Sequence, residues 1–410
     1  MTKPELLAPA GNLEKLHFAI TYGADAVYVG GPNYSLRAQA GNFDWPELAA
    51  GVAFAHAKRA KLYVAVNIYA HNQHLVNLPS YLHRLAGLGV DGLIISDPGI
   101  FRLAKKEVPQ LALHISTQSN STNSQTVAFW AELGAKRVVL AREVSLAECA
   151  EIAAANPGID LEIFVHGAMC MAYSGRCLLS AYLTGRSANL GDCAQPCRWQ
   201  YRLEEEKRPG EYFPIVEDEW GTYIFNSKDL CLIEYLPQIL ASGVQSLKIE
   251  GRMKSAYYVS CVTGTYRQAL DACLAAPQKY AAKEGWLSEL KKVSHRQYST
   301  GFAFGNPGEK AQKTASSAYE RGYDFAGFVK EYDAASGRIL VEQRNHLAVG
   351  DVVEVLTPGG GVTAYQIKDM WSTKTGLPQK TAPHAKEQVW MSVPAPFVPY
   401  SILRRPVKEA

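Results

Sequence analysis

Nowhere in the 410 residues does an apolar run approach the roughly 20 residues that a membrane-crossing helix needs, so no membrane span is expected. A strong charge of either sign is also missing. Lys and Arg number 42 against 39 Asp and Glu, a net +3. That is too mild to argue for nucleic acid from composition, although a local basic face would suffice. Eight cysteines are too few for a disulfide scaffold, and in a reducing compartment a cluster of them points to metal or catalysis. The opening MTKPELLAPAGN lacks a basic head followed by an apolar stretch, so no export signal is expected and the cytoplasm is the expected location. No HExxH zinc motif and no Gly-x-Ser-x-Gly elbow occurs, which removes two common hydrolase constellations. GLGVDG at 87–92 matches Gly-x-Gly-x-x-Gly, but it ends a helix and enters a strand, the reverse of a dinucleotide site.

What is present is a long alternation. From residue 5 to about 275, short β-rich runs alternate with helical stripes. Strands are expected near Glu5–Leu7, Ala26–Gly30, Leu62–Ile68, Gly92–Ile95, Leu111–Ile115, Arg137–Ala141, Leu161–Val165 and Ser246–Ile249. Most are continuous Val/Ile/Leu/Tyr runs, as strands covered on both faces should be. Helices are expected over Leu13–Tyr22, Trp45–Arg59, His74–Leu88 and Ser121–Leu133. The pattern Gly-[Ala/Val]-x-x-apolar-x-apolar recurs at Gly23, Gly89, Gly134 and Gly243, each time between a helix and an even-numbered strand. A residue in the left-handed region would end each helix there. The count and the recurrence predict an α/β fold, a (β/α)₈ TIM-like barrel over 1–275, against an open doubly wound sheet. A cysteine-containing insertion at about 170–225 follows the seventh strand. Residues 276–320 read as helix and linker, and 321–410 as a small C-terminal antiparallel β-barrel domain.

Four cysteines fall in one segment, EIFVHGAMCMAYSGRCLLS followed by GDCAQPCR, with spacing Cys-x6-Cys-x15-Cys-x3-Cys. Cys170, Cys177, Cys193 and Cys197 could supply thiolates to Zn²⁺ or to a [4Fe–4S] cluster, or stay unligated. The wide gaps suit paired zinc knuckles poorly. Cys149, Cys231, Cys261 and Cys273 sit in helical patterns and read as core.

Glu-x-Phe-x-x-Gly-Ala-Met-Cys-x4-Gly-x-Cys-x-Leu-Ser over 162–180 resembles the signature of the U32 peptidase family. PELLAPAGN, ADAVYVGG, GDCAQPCR and SLKIEGRMKSAYYV are similar to that family too. The likeness covers about residues 3–275 strongly. Length and the appended β module resemble the branch that makes 5-hydroxyuridine at the tRNA wobble position. Sister branches hydroxylate a ribosomal RNA cytidine or act in oxygen-independent ubiquinone synthesis. The resemblance implies a [4Fe–4S] cluster on the four cysteines and prephenate as a required small molecule. It further implies the tRNA anticodon loop as partner. Two alternatives stand beside this: a peptidase or collagenase-like hydrolase, and an iron–sulfur subunit serving another protein, for which an iron–sulfur or redox partner protein is expected. A cysteine-protease reading would pair His166 with Cys170 or Cys177, but a metal-bound thiolate is no free nucleophile.

Residues just past barrel strands face a mouth site. Those positions give Asn67, Asp97, Thr117, Gln118, Arg142, Glu143, His166, Glu250 and Arg252. His166, Glu143, Glu250 and Asp97 are the candidate catalytic groups, His166 being the expected proton donor or acceptor. A dicarboxylate such as prephenate calls for guanidinium groups, so Arg142 and Arg252 are candidates for binding it, with Arg37 and Arg198 in reserve. Gln118, Asn67 and Lys248 complete that set, Lys248 being expected to point inward and pair with Glu250 or Glu143. Tyr173, Tyr182 and Trp199 are candidate base-stacking platforms. KKVSHRQY (291–298) and ILRRPVK (402–408) are candidate phosphate contacts.

Overall fold

The computed structural model describes residues 3–35, 42–169, 228–305 and 320–407, with short stretches between 183 and 223. Eight parallel strands close into a barrel. The first seven are β1 (Glu5–Pro9), β2 (Ala26–Gly30), β3 (Lys61–Val66), β4 (Gly92–Ile95), β5 (Ala112–Ile115), β6 (Arg137–Val139) and β7 (Asp160–Gly167). Ser246–Ile249 is the eighth, and it pairs with both β7 and β1, which closes the ring and removes the open-sheet alternative. Helices follow the strands. Among them are α1 (Leu13–Thr21), started by the Asn12 side chain accepting from Lys15 N, and α2 (Trp45–Ala57), started by a reciprocal Asp44/Glu47 capping box. The four recurrent glycines all have positive φ, between 77° and 99°, and end the helices they follow.

The inside of the barrel departs from the branched aliphatic filling usual for this fold. A small cluster of Leu7, Ala26, Tyr28, Tyr63 and Ile94 is interleaved with ions. Arg137 Nη1 lies 2.6 Å from Glu5 Oε1 and 3.1 Å from Glu162 Oε2, and Lys248 Nζ donates to Glu162 Oε1 at 2.7 Å. The main apolar core lies outside the ring, between strands and helices.

Asp229–Cys231 adds to the outer edge of β7 antiparallel, and Tyr298–Ser299 pairs with it in turn. Helix Glu284–Lys291 precedes that last strand. From Tyr323 a seven-stranded antiparallel sheet follows, with its own core on one face (Val329, Val341, Val355, Val389, Met391 and Leu403 among them). Its other face sends Phe328, Leu356 and Ile402 into the barrel's outer core, against α1 and the long helix Ala256–Ala275. Cys149, Cys231, Cys261 and Cys273 are buried.

Candidate active site at the barrel mouth

The mouth has a neutral half and a cationic half. On the neutral half, the Gln118 carbonyl oxygen accepts from Asn67 Nδ2 (2.7 Å), Ser96 Oγ (3.0 Å) and Ser116 Oγ (3.4 Å). One amide thus ties together the ends of β3, β4 and β5. Tyr69 donates to the Gln118 backbone carbonyl at 2.6 Å, and Thr117 to that of Leu140 at 3.1 Å. These contacts make Asn67 and Gln118 a braced pair, with Ser96 and Ser116 as members that strand-end counting missed.

The cationic half is built on β6, β7 and the eighth strand. Arg142 lies over Phe164, Cζ 3.8 Å from the ring centroid, and its Nη2 is 3.4 Å from Glu250 Oε2. Lys248 also lies by that ring, at 5.5 Å, and 4.6 Å from the Tyr28 ring. Arg252 is buried and donates to Ser35 Oγ (2.8 Å) and Asn42 Oδ1 (3.2 Å), both neutral oxygens near the end of β2. Lys248 points inward as expected, but its partner is Glu162, not Glu250 or Glu143. Period-two alternation explains this: Lys248 points inward from the strand in register with Phe164, and Glu162, two residues before Phe164, points into the same interior, while Glu250 lies past the strand end. Burial opposes charge on Glu162, yet Lys248 and Arg137 outweigh it and hold the carboxyl at about 2. Glu162 and Arg137 were legible only as charged residues inside otherwise apolar strand runs.

Three expectations for the acid–base groups change. His166 does not face the mouth. The β7 register slips between Phe164 and His166 against Lys248 and Ile249, a bulge that reverses the side-chain phase. Its ring therefore sits outside the barrel wall, 1% exposed, with the rings of Tyr298, Tyr266 and Tyr258 at 5.2, 5.4 and 6.1 Å. Neither ring nitrogen has a hydrogen-bond partner among the described residues. Burial, then His295 and Lys254, push its pKa down to about 3, so the imidazole is neutral. Asp97 is a helix cap: its Oδ1 accepts from Ile100 N at 2.9 Å at the start of Pro98–Glu107. Glu143 is half-buried in the turn after β6, whereas Arg142 pairs with Glu250 and Lys248 with Glu162. Of the four proposed acid–base residues, Glu250 is the one set beside a mouth cation.

Part of the phosphate-contact runs is used elsewhere, while Lys291 stays exposed and Lys408 lies outside the described residues. Arg404 is fully buried with both terminal guanidinium nitrogens on Glu289, at 2.6 and 2.8 Å, Lys292 pairs with Glu354, and Arg405 pairs with Asp351 inside the C-terminal unit. Arg404 and Lys292 thereby seat the C-terminal sheet against Glu284–Lys291. Cys170, Cys177, Cys193 and Cys197 lie outside the described residues, as do Arg37, Arg198, Tyr173, Tyr182 and Trp199. What the structure adds is that β7 runs to Gly167, so the first cysteine follows three residues beyond a strand end at the mouth.

Residues 11–313 match the family model described as Peptidase family U32, and residues 321–404 that of the Peptidase family U32 C-terminal domain. The tRNA hydroxylation protein P1 of Bacillus subtilis (strain 168) is 41% identical over 403 residues, spanning 98% of this chain and 95% of that protein. The tRNA hydroxylation protein P of Escherichia coli (strain K12) is 38% identical over 450 residues, spanning 99% and 97%. The 23S rRNA 5-hydroxycytidine C2501 synthase of the same organism is 32% identical over 392 residues, spanning 94% of this chain and 56% of that protein.

Proposed function

The chain belongs to Peptidase family U32, and from that premise we propose that it is an RNA-hydroxylating enzyme whose substrate is tRNA and whose target is C5 of the wobble uridine. The observation that carries this reading is the extent of the likeness. It runs through barrel and C-terminal sheet alike, over nearly the whole of two proteins named for tRNA hydroxylation. A relative named for making 5-hydroxycytidine in ribosomal RNA supports hydroxylation of an RNA base more broadly. An anticodon loop presents its bases already unstacked, which lowers the cost of bringing one into a mouth.

Peptide hydrolysis has less support from the same residues. His166 is turned away from the mouth and held neutral, and the four described cysteines are buried, with burial raising each thiol's pKa. A nucleophile–base pair needs both groups within hydrogen-bond reach of one substrate atom.

Prephenate suits the cationic half by charge. Its two carboxylates would be met by Arg142 and Arg252, and its ring by the apolar side chains of Phe164 and Tyr28. Arg142 already rests over Phe164, which limits the freedom of its fork before the ligand arrives. The 3.4 Å approach of Glu250 is long for a charge-assisted bond, so a ligand carboxylate can compete for the same guanidinium. Glu250 is then the nearest protein carboxylate for moving a proton. Asn67 and Gln118 supply neutral hydrogen-bonding groups across the mouth, suited to the edge of a uracil.

Cys170, Cys177, Cys193 and Cys197 would hold a [4Fe–4S] cluster, which supplies one-electron chemistry when bound. Support for it is the donor set, four cysteines in one segment, together with the family likeness.

Nucleoside mass spectrometry of tRNA from cells lacking this chain tests the function: 5-hydroxyuridine derivatives should disappear and return with the wild-type gene. Unchanged levels overturn it. Iron and sulfide analysis of anaerobically purified protein tests the cluster separately, near four of each per chain being expected for a [4Fe–4S] centre. Calorimetry with prephenate should show binding that Arg142→Ala weakens at least tenfold, since a bidentate charged contact is lost.

A further inference from the structure

The face of the C-terminal sheet that docks on the barrel is longer than the barrel surface it meets. Strand order across the sheet runs from Val362–Gln366 through Val352–Leu356, Ile402–Pro406, Tyr323–Asp333, Arg338–Gln343 and Gln388–Ser392 to Trp371–Ser372. Register identifies one continuous face. Phe328 and Ile402 stand opposite each other, Phe328 opposite Glu342, and Glu342 opposite Gln388. Two residues along, Leu340 stands opposite Trp390, and Trp390 opposite Trp371. Directly opposed residues share a face, and so do residues two apart on one strand. On the inner strands this face is covered: Phe328 packs edge-on to Phe18 at 5.2 Å, and Arg344 pairs with Glu14 of α1. On the outer strands Leu340, Trp390 and Trp371 are half-buried and belong to neither the barrel's core nor the small domain's own.

We propose that this uncovered half is a nucleotide-stacking site, and that its occupant is an unpaired stretch of the substrate RNA outside the catalytic mouth. Two tryptophans side by side offer flat apolar area that any base can stack on. The Arg338 guanidinium lies 3.5 Å from the centroid of the Trp371 ring. The acid it faces is Asp333, opposite it in register, which accepts from the Ser336 hydroxyl and the Ala335 amide. Arg338 has no ion pair with Asp333 among the described contacts, so its charge can also meet a phosphate next to a base stacked on the same platform. Lys374 is exposed in the turn that follows Trp371, its backbone N–H on Ser372 Oγ, and Lys330 flanks the face from the covered side. Glu342 is neutralised by Arg344 and Lys330, while Glu331, opposite Leu340, adds an acid at the margin. Aromatic faces rimmed by cations suit a single-stranded polyanion better than an acidic or apolar protein surface. The site is held rigidly relative to the mouth, because the inner half of the same sheet is locked to the barrel by Arg404 and Glu289.

The proposal rests on the RNA reading above, so its test measures binding rather than turnover. Full-length wild type and the variants Trp371→Ala, Trp390→Ala and Arg338→Glu are titrated with labelled unmodified tRNA and, separately, with its isolated anticodon stem-loop. The expected result is a roughly tenfold weaker Kd for tRNA in each variant. Stem-loop affinity should be unchanged, and Arg338→Glu should also flatten the salt dependence of tRNA binding. Trp371→Phe should restore most of the affinity, which separates stacking from misfolding, and melting midpoints should stay at the wild-type value. Affinities within twofold of wild type in all three variants overturn the proposal. So does a wild-type dimer that Trp390→Ala splits while tRNA binding persists, since the face would then belong to a second copy. A wild type that binds no RNA sinks the RNA reading itself, a result the variants cannot mimic.

Discussion

His166 shows how one inserted residue changes what a side chain can do. Counting strand ends places it at the mouth; the β7 bulge puts it behind the wall among three tyrosines, with neither nitrogen hydrogen-bonded among the described residues. That environment has a measurable signature. His166 and His114 both have pKa values pushed down to about 3, by burial first and by neighbouring cations second. The unfolded chain takes up protons near pH 6.5 that the native chain refuses until about pH 3. The unfolded state thus binds more protons across that window, and stability falls as pH drops through it. His166→Phe should make the slope of unfolding free energy against pH shallower between pH 6 and 4, by up to about 1.4 kcal/mol per unit. Urea midpoints at several pH values give that slope, and parallel curves for variant and wild type would show the histidine is not buried neutral. Glu162 is the second test at this scale. Removing its charge with Glu162→Gln leaves Lys248 and Arg137 short of a shared buried carboxylate, at an expected cost of roughly 3–5 kcal/mol. Adding Lys248→Met to that variant should recover part of the loss, because one unpaired cation is gone. A simple sum of the two single effects in the double variant would argue against coupling.

At the level of elements, Gly89 and Gly167 show two different uses of glycine, one ending a helix and one letting two segments approach at the mouth. Gly89 has φ +77° and open space where a side chain would go, so Gly89→Ala should cost only the left-handed backbone penalty, about 1–2 kcal/mol. Gly167, at φ +109°, is different: a Cβ there would lie 2.6 Å from the Glu250 carbonyl oxygen. Gly167→Ala should therefore push β7 away from the segment carrying Glu250 and disturb the Arg142–Glu250 pair. Its stability loss should exceed that of Gly89→Ala, and it alone should impair hydroxylation; equal losses with activity intact would contradict this placement. The spacing of β strands and the recurrent glycines were readable beforehand because each depends on local rules, burial on two faces and the end of a helix. The bulge was not, since it exists only relative to the register of the eighth strand.

For the whole molecule, the question is how firmly the two units hold together. Arg404 has no exposed surface, and it bridges Glu289 of the barrel's outer helix and Glu354 of the small domain. Tyr22 adds hydroxyl bonds to the Leu356 and Tyr400 carbonyls, at 2.9 and 3.1 Å. Arg404→Leu leaves Glu289 and Glu354 facing each other with Lys292 as shared counter-charge, an expected loss of about 3–5 kcal/mol. Calorimetry should then resolve two transitions in place of one, with protease cleavage appearing between the units. A single unshifted transition would mean that the apolar contacts of Phe328 and Ile402 suffice. The basic run at 402–408, which reads as a surface feature, turns out to be partly interior for this reason.

Local chemistry was enough to foretell the ring of eight strands, the antiparallel C-terminal region and the family, because apolar periodicity, helix-ending glycines and motif spacing are written in neighbouring residues. Which charges meet was settled only by closure. Lys248 finds Glu162 rather than Glu250, Asp97 becomes a cap, and Arg404 goes inside. Those outcomes depend on strand stagger and on a domain docking across more than a hundred residues of chain. Electrostatic partners are chosen by distance through space, which separation along the sequence does not encode.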